Sequence, residues 1–454
     1  MLITRRFALA LSPLAIAFAV PAAAQDTERM VEIASAEAES GAFMGAVIVA
    51  NDDTVLLERA WGSANLEWDI ANTPDTKFRI GSVTKQFTSV AIMKLAEQGL
   101  IDLDAPISTY LEGTPESWSA ITVRNLMRHT AGLPNVTSLD GFGDLSRLET
   151  SQDDLIAFFR DLPLEFEPGS KWSYSNSGYV LLSRIVEQVS EQDIATYFDE
   201  QFFTPLGMEN SGFDVSAEIL PKRAAGYSPG GEGRVNAGYV FMGIPTGAGA
   251  MYSTVSDLHR WNKALYSGEI LSPESVAEFV EPAPHDAIGE AKYAHGVVVS
   301  DSENGQYIWH GGGIQGFNAW LGYDRAKSTT VAVLANLNGG SAENIGRQLM
   351  TLAQGGEIPT TADRVAVEVP AEALAEYEGV YALAPTFKIT TFVEGGKLMA
   401  QATGQGANEI FREEGDTFFL KVVDAQVRFN RDDSGTITGL TLFQGGREMP
   451  ATKE

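Results

Sequence analysis

Ser82-Val83-Thr84-Lys85 places a hydroxyl three residues before an amine. Beyond it Phe87, Val90, Ala91, Lys94 and Leu95 keep helical spacing and Gly99 supplies a C-cap, so the stretch opens an amphipathic helix. Residues three apart share a helix face, and a serine beside a base is the minimum of a nucleophilic site. A chain of this length holds on the order of one such spacing by chance, so the tetrapeptide acquires meaning only from its company.

Two later pieces supply that company. Tyr174-Ser175-Asn176 follows the turn Glu167-Pro168-Gly169-Ser170 and precedes a helix expected over 177–190. A phenol there takes up a proton only if a neighbouring cation lowers its pKa from about 10, and Lys85 is the candidate. The amide of Asn176 can bind a substrate carbonyl or orient the lysine. His310-Gly311-Gly312-Gly313 follows the aromatic strand Tyr307-Ile308-Trp309, and a glycine run lets backbone N–H groups approach a ligand as an oxyanion hole. Taken singly, these pieces read as an N-capping serine, a loop tyrosine stacked on Trp172 and a flexible turn with a surface histidine.

In this order the three pieces resemble the motifs of serine hydrolases related to class C β-lactamases and D-alanyl-D-alanine carboxypeptidases, the CubicO-like, penicillin-binding-protein-like group. Phe78-Arg79-Ile80-Gly81 ahead of Ser82, Leu126-Met127-Arg128-His129-Thr130-Ala131-Gly132-Leu133-Pro134, and Pro168-Gly169 ahead of Tyr174 agree with it, over roughly residues 30 to 350. The resemblance implies Ser82 as nucleophile and Lys85 as its base. It gives Tyr174 proton exchange with leaving group and water, and sets His310 beside Tyr174. Asn176, Gly311 and Gly312 would contact substrate, and the backbone N–H groups of Ser82 and Gly313 would form the oxyanion hole. It implies an α/β (α+β) fold: an antiparallel sheet flanked by helices, a helical subdomain, and the site between them. Many relatives that bind substrate carboxylates carry threonine where this chain has Gly311. That departure points away from penicillin-type substrates and toward an esterase, amidase or D-aminopeptidase, with D-Ala carboxypeptidase-like activity, a β-lactamase and a slow-turnover penicillin sensor as alternatives.

Gly226-Tyr227-Ser228-Pro229-Gly230 matches a nucleophile elbow, which with His310-Gly311-Gly312-Gly313 would suggest an α/β-hydrolase. The elbow needs a strand before it and a helix after it, whereas Pro221, Pro229 and the glycines from Gly230 to Gly233 predict a long loop over 221–250. The glycine motif should also precede the elbow, and here it follows. The five histidines, His129, His259, His285, His295 and His310, include no His-Glu-x-x-His, so neither a metal nor another cofactor is expected. His129 reads as the end of a short helix capped by Thr122.

The remaining boundaries follow from composition. The 454 residues are 44% hydrophobic with no cysteine, which excludes disulfides and thiolate chemistry. Arg5-Arg6, the apolar run Phe7 to Val20 and Ala22-Ala23-Ala24 read as a secretory signal over 1–24, cleaved before Gln25, so a periplasmic or secreted protein with no stable membrane span is expected. The signal holds two of the 32 basic residues and none of the 60 acidic ones, which leaves the mature chain at −30 and argues against nucleic-acid partners. The expected partners are small-molecule or peptide substrates, peptidoglycan-derived peptides among them. A serine-hydrolase domain is expected over 25–355, opening with a helix over 27–40 and a strand–turn–strand from Gly45. A linker follows over 356–370. Short strands separated by glycine turns then form a small antiparallel β-barrel over 371–454, resembling a lipocalin-like appendage.

Overall fold

The computed structural model describes residues 22–454 apart from 232, 289–290, 359–363, 385–386, 422–424, 433 and 445–446. Of the expected signal segment, residues 1–21 lie outside the described residues, and the middle of the expected linker does too. The fold is mixed α/β. Its centre is an eight-stranded antiparallel sheet ordered Asp286–Ile288, Ala291–Tyr293, Val298–Ser302, Gly305–Ile314, Phe317–Asp324, Thr329–Ala335, Gly45–Asn51, Thr54–Trp61. The hairpin from Gly45 to Trp61 forms as its β-branched runs predict. It docks on the last strand, with Gly45 opposite Ala335 and Asn51 opposite Thr329.

Period-two alternation divides the sheet between two cores. Ala46, Ile48, Leu321, Ala332 and Leu334 face the helical side, against Phe78, Phe87 and Trp261. Val47, Val49, Trp309, Trp320, Val331 and Val333 face the helices Ala22–Glu39 and Ser341–Ala353. The first core continues into the helical region built from Val123–Met127, Gln152–Arg160 and Asn176–Ser190. Thr122 caps the first of these as its sequence predicts, in a capping box with Asn125. The helix that follows Ser82 runs Thr84–Glu97 and is buried along nearly its whole length. It packs against Asn176–Ser190, while the Gly81–Val83 turn at its start packs on the strand Gly305–Ile314, so its N-terminus lies where the two halves meet.

Two segments differ from expectation. The stretch 221–250 is not a featureless loop: Tyr227–Gly230 and Gly233–Asn236 pair as a hairpin, and Thr246–Gly249 is a helical turn. The glycines after His310 are not a turn either. They lie within the strand Gly305–Ile314, in register with Phe317–Asp324, and the chain reverses at Gln315-Gly316. Beyond the linker, eight strands from Gly379–Ala384 to Arg447–Lys453 close into a barrel around Tyr377, Tyr381, Phe418, Phe429 and Leu440.

Candidate active site

Strand Phe78–Arg79 leads into the 3-10 turn Gly81–Val83, which runs directly into the helix Thr84–Glu97. The turn is pressed against the glycine strand. A Cβ on Gly312 would lie 1.9 Å from the Ile80 carbonyl oxygen, and one on Gly81, at φ +50°, would lie 2.8 Å from the Gly313 nitrogen. Gly312 therefore serves close backbone approach rather than flexibility. Gly312→Ala should cost about 1–3 kcal/mol from overpacking and lower turnover by at least about 100-fold through displacement of Ser82. A urea melt and ester kinetics check this, and near-native kinetics would show that the approach is not needed.

The contact sets Ser82 between two partners. Lys85 Nζ lies 3.1 Å from Ser82 Oγ, and the Tyr174 hydroxyl donates to the same oxygen at 2.7 Å. Lys85 also donates to Asn176 Oδ1 at 2.9 Å and to the Ala248 carbonyl at 2.7 Å. The lysine is fully buried, and burial pushes its pKa well below the ordinary value. A neutral amine has two hydrogens and one lone pair. Asn176 and Ala248 take the two hydrogens, which leaves the lone pair for the Ser82 hydroxyl proton. Asn176 opens its helix and is itself held, its Nδ2 donating to Asn135 Oδ1 at 3.1 Å and Thr137 Oγ1 at 3.2 Å. The Ser82 N–H precedes the first intrahelical bond, from Val83 N–H to the Ile80 carbonyl, and so belongs to the unsatisfied first turn.

Tyr174 does not behave as its sequence context suggests. Burial raises its pKa, the Ser82 hydrogen bond offsets only part of the rise, and the phenol is neutral. Lys85 lies 4.8 Å from the Tyr174 ring centroid, but burial governs the phenol and the amine does not lower its pKa. His310 reaches neither Ser82 nor Tyr174 by a hydrogen bond. Its ring lies 6.4 Å from that of Tyr174, its Nδ1 pairs with the Gly311 carbonyl at 2.6 Å, and its Nε2 pairs with the Tyr293 hydroxyl at 2.9 Å. Burial first, and then the charge that Lys85 carries when protonated, push its pKa down to about 3. A carbonyl on one side and a phenol on the other fix the neutral tautomer protonated on Nδ1.

Sequence reasoning missed the groups that hold Tyr174. His129 accepts from the Ser175 N–H through Nδ1 at 3.2 Å and from the Ser173 N–H through its carbonyl at 2.9 Å, one bond on each side of the tyrosine. Its ring lies 4.3 Å from that of Tyr174 and 4.6 Å from that of Tyr293. The residue adopts a left-handed φ of +56°, a strain that these contacts hold in place. Its position at the end of a short helix carries no sign of this pairing, and the Ala248 carbonyl has no side chain to read.

Ser82, Asn176 and Gly313 open onto a cavity of about 600 Å³ walled by Val136, Phe142, Val180, Val240, Ile244 and Ile314. None of the described residues lining it is charged. Gly311 is not among them, and a Cβ there would meet nothing closer than 3.8 Å. Ser228 lies apart, in the hairpin strand Tyr227–Gly230 and not at a strand-to-helix elbow, with its hydroxyl donating to Asn338 Oδ1 at 3.0 Å.

A family profile described as "Beta-lactamase" matches residues 31–354, and one described as "Domain of unknown function (DUF3471)" matches residues 363–453. Penicillin-binding protein 4* of Bacillus subtilis (strain 168) is 25% identical over 441 residues, covering 91% of this chain and 96% of that protein. The octameric penicillin-binding protein homologue from Pyrococcus abyssi superposes with a TM-score of 0.67 at 26% identity, over 95% of this chain and 100% of that one. The D-amino acid amidase from Ochrobactrum anthropi SV3 complexed with L-phenylalanine amide shares the fold, with a TM-score of 0.64 at 22% identity over 73% of this chain and 98% of that one. The chain belongs to the beta-lactamase family of serine hydrolases.

Proposed function

We propose that this protein is an exported esterase that acts through an acyl-enzyme on Ser82 and accepts uncharged, apolar groups beside the scissile bond. The observation that carries the reading is Ser82 Oγ, held between Lys85 Nζ and the Tyr174 hydroxyl at the edge of a cavity with no charged side chain among its described lining residues. Neutral Lys85 takes the Ser82 proton as Oγ attacks the carbonyl carbon. The backbone N–H groups of Ser82 and Gly313 receive the oxyanion. Tyr174, a neutral phenol already bonded to Oγ, gives its proton to the departing oxygen and is reprotonated from Lys85. Water then attacks the acyl-enzyme through the same relay in reverse. Asn176 keeps the lysine aimed, and His310 acts at one remove by fixing Tyr293 and the glycine strand. The apolar run between Arg5-Arg6 and Ala22-Ala23-Ala24 supports export to the periplasm or the medium.

The cavity separates the ester reading from its neighbours. A free D-amino-acid amide brings an ammonium and a penicillin or D-Ala-D-Ala peptide a carboxylate, and no charged side chain among the described lining residues would meet either. A panel of p-nitrophenyl esters, D- and L-aminoacyl amides, nitrocefin and D-Ala-D-Ala peptides tests this. Short-chain esters should exceed every amide and nitrocefin by at least about 10-fold in kcat/KM, on the order of one mismatched buried charge. Faster turnover of nitrocefin or a D-Ala peptide would overturn the reading, and a stable penicillin adduct without turnover would indicate a sensor.

A further inference from the structure

Behind the Ser82 turn, two arginines share one acid. Arg79 Nε donates to Asp214 Oδ2 at 2.6 Å, and Arg223 Nη1 donates to Asp214 Oδ1. The backbone fixes all three. Arg79 pairs with Tyr252 across a small sheet, the Asp214 N–H bonds the Ala250 carbonyl at 2.8 Å, and Arg223 bridges Lys77 while the adjacent Ala224 N–H bonds the Lys77 carbonyl at 3.0 Å. The Asp214 side chain is only 1% exposed, and those of Arg79 and Arg223 are 16% and 27% exposed. Among the described residues neither guanidinium pairs with a second carboxylate. Two positive charges against one negative leave one in excess.

That excess borders a shallow hollow that is partly open to solvent. Arg79 and Arg223 line this second hollow, of about 280 Å³, together with Tyr239, Gln315 and Phe317. Val240 and Gln315 border both this hollow and the catalytic cavity, so the two are neighbours across one wall. Guanidinium N–H groups not used on Asp214 suit the planar geometry of a carboxylate.

We propose that the Arg79–Arg223 hollow is an anion subsite of the active centre, taking a carboxylate on an arm of the ester remote from the scissile bond. This rests on the esterase reading and narrows it: the group beside the reacting carbonyl is apolar, and recognition of charge occurs one cavity away, not at Gly311. The preferred substrates are then half-esters of dicarboxylic acids, or esters whose alcohol carries an acid.

Two series locate the carboxylate. p-Nitrophenyl hemi-esters of succinate, glutarate and adipate, each against the neutral acyl ester of equal length, place it on the acyl arm. Butyrate esters of hydroxybenzoates, against those of the corresponding amides, place it on the alcohol arm. In at least one series the acid should raise kcat/KM by about 10- to 100-fold, the worth of one charge-assisted pair. Arg223→Ala should abolish that preference while leaving the neutral esters within about 2-fold, because Arg79 still pairs with Asp214, and Arg223→Lys should keep part of it. A second measurement needs no variant: glutarate should inhibit neutral-ester hydrolysis by the unaltered protein competitively, and glutaramide should not. Equal rates for acids and neutral analogues in both series, with no difference between glutarate and glutaramide, would overturn the subsite and leave the esterase reading standing. Failure to hydrolyse any ester would remove both.

Discussion

Ser82→Ala should abolish ester hydrolysis, by on the order of 10⁴- to 10⁶-fold in kcat, the range found when the nucleophile of a covalent hydrolase is removed. Ser228→Ala should leave turnover within about 2-fold of the parent. Both serines sit in sequence contexts that resemble nucleophile motifs, and their surroundings differ. Ser82 has a buried lysine at 3.1 Å and a phenol at 2.7 Å, whereas among the described residues the Ser228 hydroxyl pairs with the side-chain carbonyl of Asn338 and with no base. Intact mass after treatment with a fluorophosphonate gives a second readout: one adduct on the parent and on Ser228→Ala, none on Ser82→Ala. The reverse pattern would discard the assignment.

Lys85→Met should lower kcat by about 10²- to 10⁴-fold, the usual worth of a general base, and should also change the pH dependence. The lysine's pKa is depressed, so its neutral form persists down to a pH well below 10.4, and activity should fall only as pH drops through that depressed value. The residual activity of Lys85→Met should lack this acid limb. Stability carries the same sign. Between the folded and unfolded pKa values the unfolded chain binds the extra proton, so the parent gains stability as pH rises through that window, by about 1.4 kcal/mol per pH unit. Methionine keeps the buried chain without the charge and should flatten that slope. Urea midpoints from pH 6 to 10 measure it, and equal slopes for the two proteins would show that Lys85 is charged in the folded state.

Most of the site was legible because its side chains mark their own chemistry. Ser82, Lys85, Tyr174 and Asn176 meet as their order along the chain suggests. What stayed hidden is backbone geometry and contact between distant segments. The three glycines after His310 look like a turn in one dimension, and the Ile80 carbonyl on the other side of Gly312 explains the middle one. The resemblance sets His310 beside Tyr174 in the catalytic group, but Tyr293 and the Gly311 carbonyl occupy both of its nitrogens. The Tyr174 pKa moves opposite to the expected direction because desolvation outweighs the Ser82 hydrogen bond, a balance of burial that no motif records. In the fold, alternating β-branched runs announced the hairpin from Gly45 and the barrel strands. The pairing of Tyr227–Gly230 with Gly233–Asn236 was masked by proline and glycine, which usually mark loops.

The seat of Gly45–Asn51 between its own hairpin partner and Thr329–Ala335 has a cost in time. As the chain is made, this strand appears early with one edge unpaired, and the strand that covers it is completed only after the whole helical region has been synthesised. An apolar strand with a bare edge invites pairing with the same strand of another chain. Sheet closure across so long a loop is slow, because its entropy must be lost before the contact is gained. The barrel carries no such delay, since its neighbouring strands are consecutive in sequence except where the first meets the last. Refolding from denaturant should therefore show barrel signals first and hydrolytic activity last, with yield falling as protein concentration rises.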